Sequence, residues 1–247
     1  WFCLNTVAGS RNHDLLYHFH GRNEDATWWN DQNYYTGKLH AAWKEKGLDP
    51  PTVVTVSFGK LWPLTERSDQ PGGGLHSIFL KFVMPRVEKE ISGSIAKRFG
   101  VGESMGGLNV LMTGLKSDSP FTKVAALCAP LATVSPHANI LDIYRYVSQS
   151  STSIRRALML LFFSRKFYPD EETWDRNDPV HVSETYRPLS GIHFYITCGA
   201  KDDWGCMKGS EKLVVNLKSS QTSVEWLPRP GGHCDIDAPS LAEFLIH

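Results

Sequence analysis

The sequence predicts an α/β protein with a mainly parallel central sheet flanked by helices. Along its 247 residues, short apolar runs rich in β-branched and aromatic side chains alternate with longer amphipathic stretches. The short runs are apolar almost throughout, which is typical of parallel strands that are buried on both faces. A strand followed by a helix and another strand implies right-handed crossovers, which place helices on both faces of the sheet.

The predicted strands and helices follow one another in a regular order. Strands are predicted at Leu15–His20, Thr52–Phe58, Lys123–Ala129, His193–Cys198 and Ser223–Leu227, with a further one beginning at Arg98. Helices are predicted at Ile78–Ile95, Gly106–Leu115, Met207–Leu217 and Ala238–Ile246. Pro85 lies inside the first of these helices, so we expect that helix to be kinked or divided.

Two stretches depart from this alternation. Trp62–Gly74 is rich in turn residues and predicts a long surface loop. Pro130–Pro179 contains two or three helical patterns and no strand. We therefore expect one domain over residues 1–247, in which residues 130–179 form a helical, lid-like insertion above the sheet. The most apolar part of this insertion is expected to pack into the core, to form a wall of a substrate pocket, or to do both. The side chains concerned are Leu158, Leu161 and Phe162.

The composition excludes several classes of protein. Hydrophobic residues make up 41% of the chain and charged residues 21%, as in ordinary globular domains. Lys+Arg and Asp+Glu both number 26, so the formal net charge is zero. No global electrostatic attraction to nucleic acid or to an anionic membrane is therefore expected. The longest nearly unbroken apolar run, Ala157–Phe163, is far shorter than a membrane span.

The cysteines and the first residue leave two questions open. Five cysteines in a chain of this length do not form a disulfide framework, and without a Cys-x-x-Cys pair a structural zinc site is not expected. Cys206 and Cys234 lie on two loops that we expect to converge, and whether they pair is open. The chain begins at Trp1, which leaves both a cytoplasmic and a secreted or periplasmic location open.

The strongest local signal is Gly102-Glu103-Ser104-Met105-Gly106, which follows a strand and precedes a helix. It satisfies G-x-S-x-G, a sharp strand-to-helix turn that presents a serine. Glycines are needed because side chains two residues on either side of the serine would clash in so tight a turn. The hydroxyl then lies at a helix N-terminus, where backbone N–H groups favour a developing anion. Ser104 is therefore the predicted nucleophile.

A serine hydroxyl needs a positioned base to take its proton. Among the histidines that follow Ser104, only His233 occupies a loop after the last predicted strand. In proteins with this kind of nucleophile turn, the serine comes first in the sequence, then the acid and then the histidine. His233 is therefore the predicted base. The acid should come from the loop after the penultimate strand, which carries Asp202 and Asp203. Successive side chains of an extended loop point in different directions, so only one of the two can orient His233.

Two backbone N–H groups should face the oxyanion that forms on the substrate. Met105, the residue after the nucleophile, supplies one of them. The other is expected from the loop after an early strand, where His20 and Gly21 precede Arg22. The Arg22 N–H is the first candidate and the Gly21 N–H is the second.

Aromatic residues and carboxylates near these loops allow weaker predictions. Trp28, Trp29 and Trp204 are candidates for lining the substrate pocket, although packing in the core or at its rim would explain the first two equally well. His233, Asp235 and Asp237 could suggest a metal ion, but their spacing fits no standard site. No metal is therefore predicted.

Four motifs occur in an order that resembles the α/β-hydrolase superfamily. They are a strand followed by His-Gly, then Gly-Glu-Ser-Met-Gly-Gly, Gly-x-x-Asp and Gly-Gly-His. More narrowly, the chain resembles the Putative esterase family, which includes esterase D, S-formylglutathione hydrolases, feruloyl esterases and mycolyltransferases. The resemblance runs from about Leu15 to the C-terminus. It implies an α/β-hydrolase fold, no cofactor, and action on carboxylic esters, thioesters or acyl-sugar bonds. It also places the acid at Asp202, three residues after Gly199, and the second oxyanion donor at Arg22.

These observations predict a serine hydrolase that cleaves carboxylic esters, or thioesters, through an acyl-enzyme on Ser104. One alternative is an acyltransferase that uses the same triad with a different acceptor. The other is a catalytically idle hydrolase fold used for binding. The expected partner is a small-molecule ester and not nucleic acid, and the oligomeric state is open.

Overall fold

The apolar runs form a seven-stranded sheet in the computed structural model, which describes residues 2–5, 12–91, 93–187 and 191–246. The strand order is β1-β3-β2-β4-β5-β6-β7, and all neighbours are parallel except β1, which pairs with β3 in the antiparallel direction. The predicted α/β-hydrolase fold is confirmed. The strands are β1 (Phe2–Asn5), β2 (Leu15–Phe19), β3 (Thr52–Val56), β4 (Arg98–Glu103), β5 (Lys123–Leu127), β6 (His193–Gly199) and β7 (Ser223–Arg229).

Helices connect these strands and cover both faces of the sheet. Their bounds are α1 (Tyr35–Glu45), α2 (Leu75–Ile78), α3 (Met84–Glu88), α4 (Met105–Gly114), α5 (Ile140–Gln149), α6 (Ile154–Ser164), α7 (Glu171–Asn177), α8 (Pro179–Thr185), α9 (Cys206–Ser219) and α10 (Ala238–Phe244). None of the helices in the described part of the chain is both long and apolar enough to cross a bilayer.

Alternate residues of each central strand belong to opposite faces of the sheet, and both faces are buried. On β2, Leu15 and Phe19 join a core cluster that includes residues of α4 and α9, whereas Leu16 joins a second cluster with residues of α1 and α10. Burial on both faces explains why this strand is apolar at nearly every position.

The carboxyl ends of the parallel strands meet at one edge of the sheet. In the register, Phe19 of β2 lies opposite Gly102 of β4, and Leu127 of β5 lies between Glu103 and Thr197 of its two neighbours. Loops that leave these strand ends are therefore adjacent in space, which is where α/β proteins bind ligands.

The helix predicted at Ile78–Ile95 begins earlier and is interrupted. A π-helical turn at Phe79–Val83 separates α2 from α3, and Pro85 lies just after it, in the first turn of α3. Because proline has no N–H to donate to the preceding turn, the wider π turn accommodates it within one continuous helical path.

The predicted surface loop Trp62–Gly74 is buried over its first part. Trp62 and Leu64 are in the core, and the Leu64 N–H donates to Asn109 Oδ1 of α4 at 2.7 Å. The Trp62 N–H donates to the Met105 sulfur at 3.3 Å. This segment therefore braces the helix that follows the nucleophile turn, and the prediction of a surface loop is wrong for residues 62–65.

The segment between β5 and β6 contains α5–α8. Leu161 is buried, in a small cluster with Ile143 of α5, separate from the two clusters of the sheet. Leu158 and Phe162 are 45% and 62% exposed. Packing of all three into the core is therefore wrong, because α6 turns only one of its faces inward.

Candidate active site

The turn that carries Ser104 has the backbone strain expected of a nucleophile turn. Ser104 adopts φ +52° and ψ −117°, and its N–H donates to the Leu127 carbonyl at 2.8 Å. A Cβ on Gly106 would lie 1.7 Å from the Phe19 carbonyl oxygen, and one on Gly102 would lie 2.3 Å from the Gly106 backbone. The glycines are therefore required by contact with neighbouring backbone, and the serine is held at the start of α4.

His233 lies within hydrogen-bonding distance of both Ser104 and Asp202. The Ser104 hydroxyl lies 3.0 Å from His233 Nε2, and His233 Nδ1 lies 2.7 Å from Asp202 Oδ2. A carboxylate can only accept, so Nδ1 carries the imidazole proton and Nε2 is left free to accept from the serine. Asp202 is fully buried, and its other oxygen accepts from the Trp204 N–H at 2.8 Å.

The neighbouring carboxylate points elsewhere. Asp203 is half exposed and forms an ion pair with Arg156 of α6. Arg156 also lies over the Trp204 ring, 5.8 Å from its centre. The loop after β6 therefore turns Asp202 toward His233 and Asp203 toward the helical segment above the sheet.

The oxyanion loop, residues 20–24, differs from the prediction at one residue. The Gly21 N–H already donates to Glu103 Oε1 at 2.6 Å and to Glu24 Oε2 at 2.8 Å. Gly21 is therefore wrong as an oxyanion donor, because its hydrogen is directed at two carboxyl groups. The Arg22 N–H has no acceptor among the described residues, and Arg22 lines the same cavity as Ser104 and Met105.

Two buried histidines lie where β2 ends and this loop begins. His20 is buried, with Nδ1 2.7 Å from the Gly21 carbonyl and Nε2 2.8 Å from the Ser57 hydroxyl. Because a carbonyl only accepts, Nδ1 carries the proton of His20. Burial lowers the pKa of His20, and it lowers the pKa of His18 to about 3. Both histidines are therefore neutral at pH 7, and His20 supports the loop through the Gly21 carbonyl.

A cavity of about 410 Å³ opens over Ser104 and His233. Its walls are mostly apolar, as in small-molecule sites. One wall comes from the loop after β5 and from the helical segment that follows; the residues are Pro130, Ala132, Val134, Pro136, Leu160, Leu161, Phe163, Phe167, Tyr168 and Trp174. Asp178 is the buried carboxyl group of this cavity, and burial raises its pKa to about 6.

The three tryptophans predicted to line the pocket divide into two groups. Trp204 lines the cavity. Trp29 is only 1% exposed and packs against Trp43 in the core under α1. Trp28 packs edge-on against Tyr34, outside the cavity lining. The prediction for Trp28 and Trp29 is therefore wrong, because the short 3-10 turn at Trp28–Asn30 directs both rings away from the cavity.

A disulfide joins Cys128, directly after β5, to Cys234, the residue after His233. The open pairing of Cys206 with Cys234 is not formed, since Cys206 is a buried free thiol. The disulfide spans 106 residues of sequence. It ties the histidine loop across β6 to the strand that neighbours the nucleophile strand.

We expect the double variant Cys128→Ala/Cys234→Ala to lose about 2–4 kcal/mol of unfolding free energy, because the bridge restricts a long loop of the unfolded chain. Its turnover should fall as well, since the histidine loop is freed. Denaturant unfolding measures the first effect. Cys3→Ala, at a half-buried free cysteine of β1, is the matched control. A double variant as stable as this control would contradict the prediction.

Two groups of three side chains at the site could hold a metal ion, but in each group two of the side chains are already bonded to each other. In the first, Cys128 and Cys234 are joined in the disulfide beside His233. In the second, Asp202 and His233 bond to each other, with Cys206 beside them. Oxidised sulfurs are not thiolate ligands, and a histidine bonded to both an acid and a serine is arranged for proton transfer.

Several residues of the site were missed at the sequence level. Glu103 looked like an unconstrained position of the G-x-S-x-G pattern, and nothing connected it with Glu24. Phe163 and Trp174 belong to the helical segment between β5 and β6, whose path over the sheet is not encoded in its periodicity. Cys128 lies near the carboxyl end of a predicted strand, and this position was the one feature of the sequence that placed it near the site.

Comparison with known proteins supports the predicted class, a serine hydrolase that acts on esters. The sequence model of the Putative esterase family matches residues 5–224. Curated proteins give no match to the chain. A ferulic acid esterase is 17% identical, with a TM-score of 0.65 over 97% of this chain and 84% of its own.

Two further solved structures are similar. An S-formylglutathione hydrolase from Agrobacterium tumefaciens is 14% identical, with a TM-score of 0.64 over 99% of this chain and 85% of its own. Esterase B from Lactobacillus Rhamnosis is 13% identical, with a TM-score of 0.64 over 98% of this chain and 77% of its own. These similarities establish the fold, and the family match establishes the activity class. The chain therefore belongs to the Putative esterase family and is a serine ester hydrolase of the carboxylesterase type.

Proposed function

We propose that Ser104, His233 and Asp202 are the catalytic residues of this esterase. The observation that carries the proposal is the unbroken chain of contacts from buried Asp202 through His233 to Ser104, at the floor of an apolar cavity. Ser104 Oγ attacks the ester carbonyl while His233 Nε2 takes the serine proton. His233 then returns that proton to the leaving alkoxide, which departs as an alcohol.

Water then hydrolyses the acyl-enzyme with the help of the same groups. His233 Nε2 takes a proton from water, the resulting hydroxide attacks the acyl-enzyme carbonyl, and the proton goes back to Ser104 as the carboxylic acid leaves. Asp202 holds the imidazole in the required tautomer and stabilises the imidazolium. The comparisons do not favour acyl transfer or an idle binding fold.

The N–H groups of Met105 and Arg22 form the oxyanion hole of this proposal. Met105 is the first residue of α4, where backbone N–H groups have no partner inside the helix. Arg22 follows Gly21, whose N–H is anchored on the carboxyl group of Glu103 beside the nucleophile. The two donors thus approach the carbonyl from the helix and from the loop after β2.

The cavity above Ser104 receives the acyl group, and residues 130–179 act as its lid within one α/β-hydrolase domain. Support comes from Phe163, which lines the cavity while the Arg22 guanidinium lies 5.5 Å from its ring centre. A second contact is the ion pair between Arg156 of α6 and Asp203 beside the catalytic acid. Helix α6 of the lid is thereby attached to the loop that carries Arg22 and to the loop that carries Asp203.

A series of p-nitrophenyl esters from acetate to laurate tests this function. We expect turnover that rises from acetate to a medium chain and falls at laurate, because an apolar cavity of about 410 Å³ rewards burial of methylene groups until it is filled. Steady-state kcat/KM is the measurement. A profile that falls steadily from acetate would contradict placement of the acyl group in the cavity, and a complete lack of turnover would contradict the function.

A further inference from the structure

Two carboxyl groups outside the proposed triad converge on one backbone N–H beside the oxyanion loop. Glu24 and Glu103, the acid pair, both accept from the Gly21 N–H, at 2.8 and 2.6 Å. The carboxyl group of Glu24 folds back over Gly21, so that a Cβ there would lie 3.1 Å from Glu24 Oε2. Glu103 is 1% exposed and is followed directly by Ser104. The acid pair thus connects the nucleophile turn with the residue that precedes Arg22.

The surroundings of the acid pair are polar. Glu103 Oε2 accepts from the Tyr35 hydroxyl at 3.0 Å and lies 3.2 Å from His18 Nε2. Within the described ranges, neither glutamate forms an ion pair with lysine or arginine.

No titratable neighbour compensates a second negative charge. Burial keeps the pKa of His18 and of His20 below their usual value, so both are neutral above pH 7. Burial raises the pKa of Tyr34 and of Tyr35, so both keep their protons. These are the groups that β2 and the start of α1 direct at the acid pair, and each of them remains uncharged.

Two carboxylates this close cannot both ionise without repulsion, and one proton shared between them removes it. Burial, and then the charge of its neighbour, raises the pKa of Glu24 to about 7. Burial raises the pKa of Glu103 to about 7 as well. Because both values lie above those of free carboxyl groups, the shared proton is present at acidic pH and is lost as the pH rises through about 7.

We propose that Glu24 and Glu103 are positioning residues that share one proton and thereby hold the Gly21 N–H, and with it the oxyanion donor Arg22, against the nucleophile turn. This inference rests on the proposed function, because it assigns a task to the loop that carries an oxyanion donor. When the shared proton is lost, repulsion within the acid pair releases Gly21, and turnover falls on the alkaline side. Most of the cavity wall lies outside the acid pair and the oxyanion loop, so substrate binding should change less than turnover.

The test is the pH dependence of kcat and KM from pH 5 to pH 9 with one short p-nitrophenyl ester. For the wild type we expect kcat to fall by about tenfold between pH 7 and pH 9, while KM changes much less. Glu24→Gln places a neutral amide beside Glu103, which keeps one hydrogen bond and removes the repulsion. This variant should keep its kcat at pH 9 within about twofold of its value at pH 7.

Glu45→Gln, at an exposed glutamate that ends α1, is the matched control and should follow the wild type. If Glu24→Gln does not fold, the infrared carbonyl band of a protonated carboxyl group in the wild type gives the answer. That band should disappear with the same midpoint as kcat. An alkaline fall with the same midpoint in Glu24→Gln, or a wild type without such a fall, would overturn the inference. A wild type without turnover at any pH would instead overturn the proposed function.

Discussion

Replacing Ser104 by alanine should lower kcat for a p-nitrophenyl ester by about 10⁶-fold, because the variant lacks the hydroxyl that forms the acyl-enzyme. The distance of 3.0 Å from Ser104 Oγ to His233 Nε2 is the basis of this expectation. The cavity and the oxyanion donors stay in place, so KM should change far less than kcat. Steady-state kinetics of the purified variant provide the measurement.

Labelling with a fluorophosphonate gives a second readout of the same substitution. The wild type should take up one label per chain at Ser104, and Ser104→Ala should take up none. Ser219→Ala, at an exposed serine of α9 whose hydroxyl donates to the Val215 carbonyl, is the control and should keep both turnover and label. Equal turnover in Ser104→Ala and the wild type would show that another group is the nucleophile.

The features of the site that could be predicted from the sequence are those with a local cause. The nucleophile turn is recognisable because Gly102 is imposed by the Gly106 backbone within the turn itself. The position of His233 after the last strand follows from the order of the strands. The short, apolar runs likewise predicted the parallel sheet, since burial on both faces leaves little freedom in residue type.

The errors concern residues whose environment is made by distant parts of the chain. Gly21 was predicted as a possible donor because its N–H follows a strand, but Glu103, 82 positions away in sequence, accepts that hydrogen. Trp29 looked available for a pocket, but it packs on Trp43 in the core. Side-chain direction after a short 3-10 turn depends on tertiary packing, which no local pattern records.

The antiparallel edge strand β1 was also not predicted. Phe2–Asn5 is only four residues long, and it is partly exposed. Pairing with Val53–Val56 of β3 stabilises it, and this partner lies about fifty residues away in the sequence. A strand so short has no hydrophobic period that could be distinguished from a loop.

The choice between Asp202 and Asp203 leads to the second large expected effect. Asp202→Asn should lower kcat by about 10⁴-fold, because a neutral amide can hold His233 in the wrong tautomer and does not stabilise the imidazolium. The geometry should be preserved, since the amide has the same shape as the carboxyl group and the Trp204 N–H can still donate to its oxygen. Turnover of the same ester and the thermal stability of the variant are the measurements.

Asp203→Asn is the matched control for this experiment, because it makes the same chemical change one residue away. Its carboxylate is 47% exposed and pairs with Arg156, and exposed ion pairs contribute only about 0–1 kcal/mol. Its kcat should therefore stay within about threefold of the wild type. The reverse result, a large loss in Asp203→Asn and a small one in Asp202→Asn, would make Asp203 the acid. Since Asp202 is fully buried and lies 2.7 Å from His233 Nδ1, whereas Asp203 pairs with Arg156 of α6, we expect the loss to be confined to Asp202.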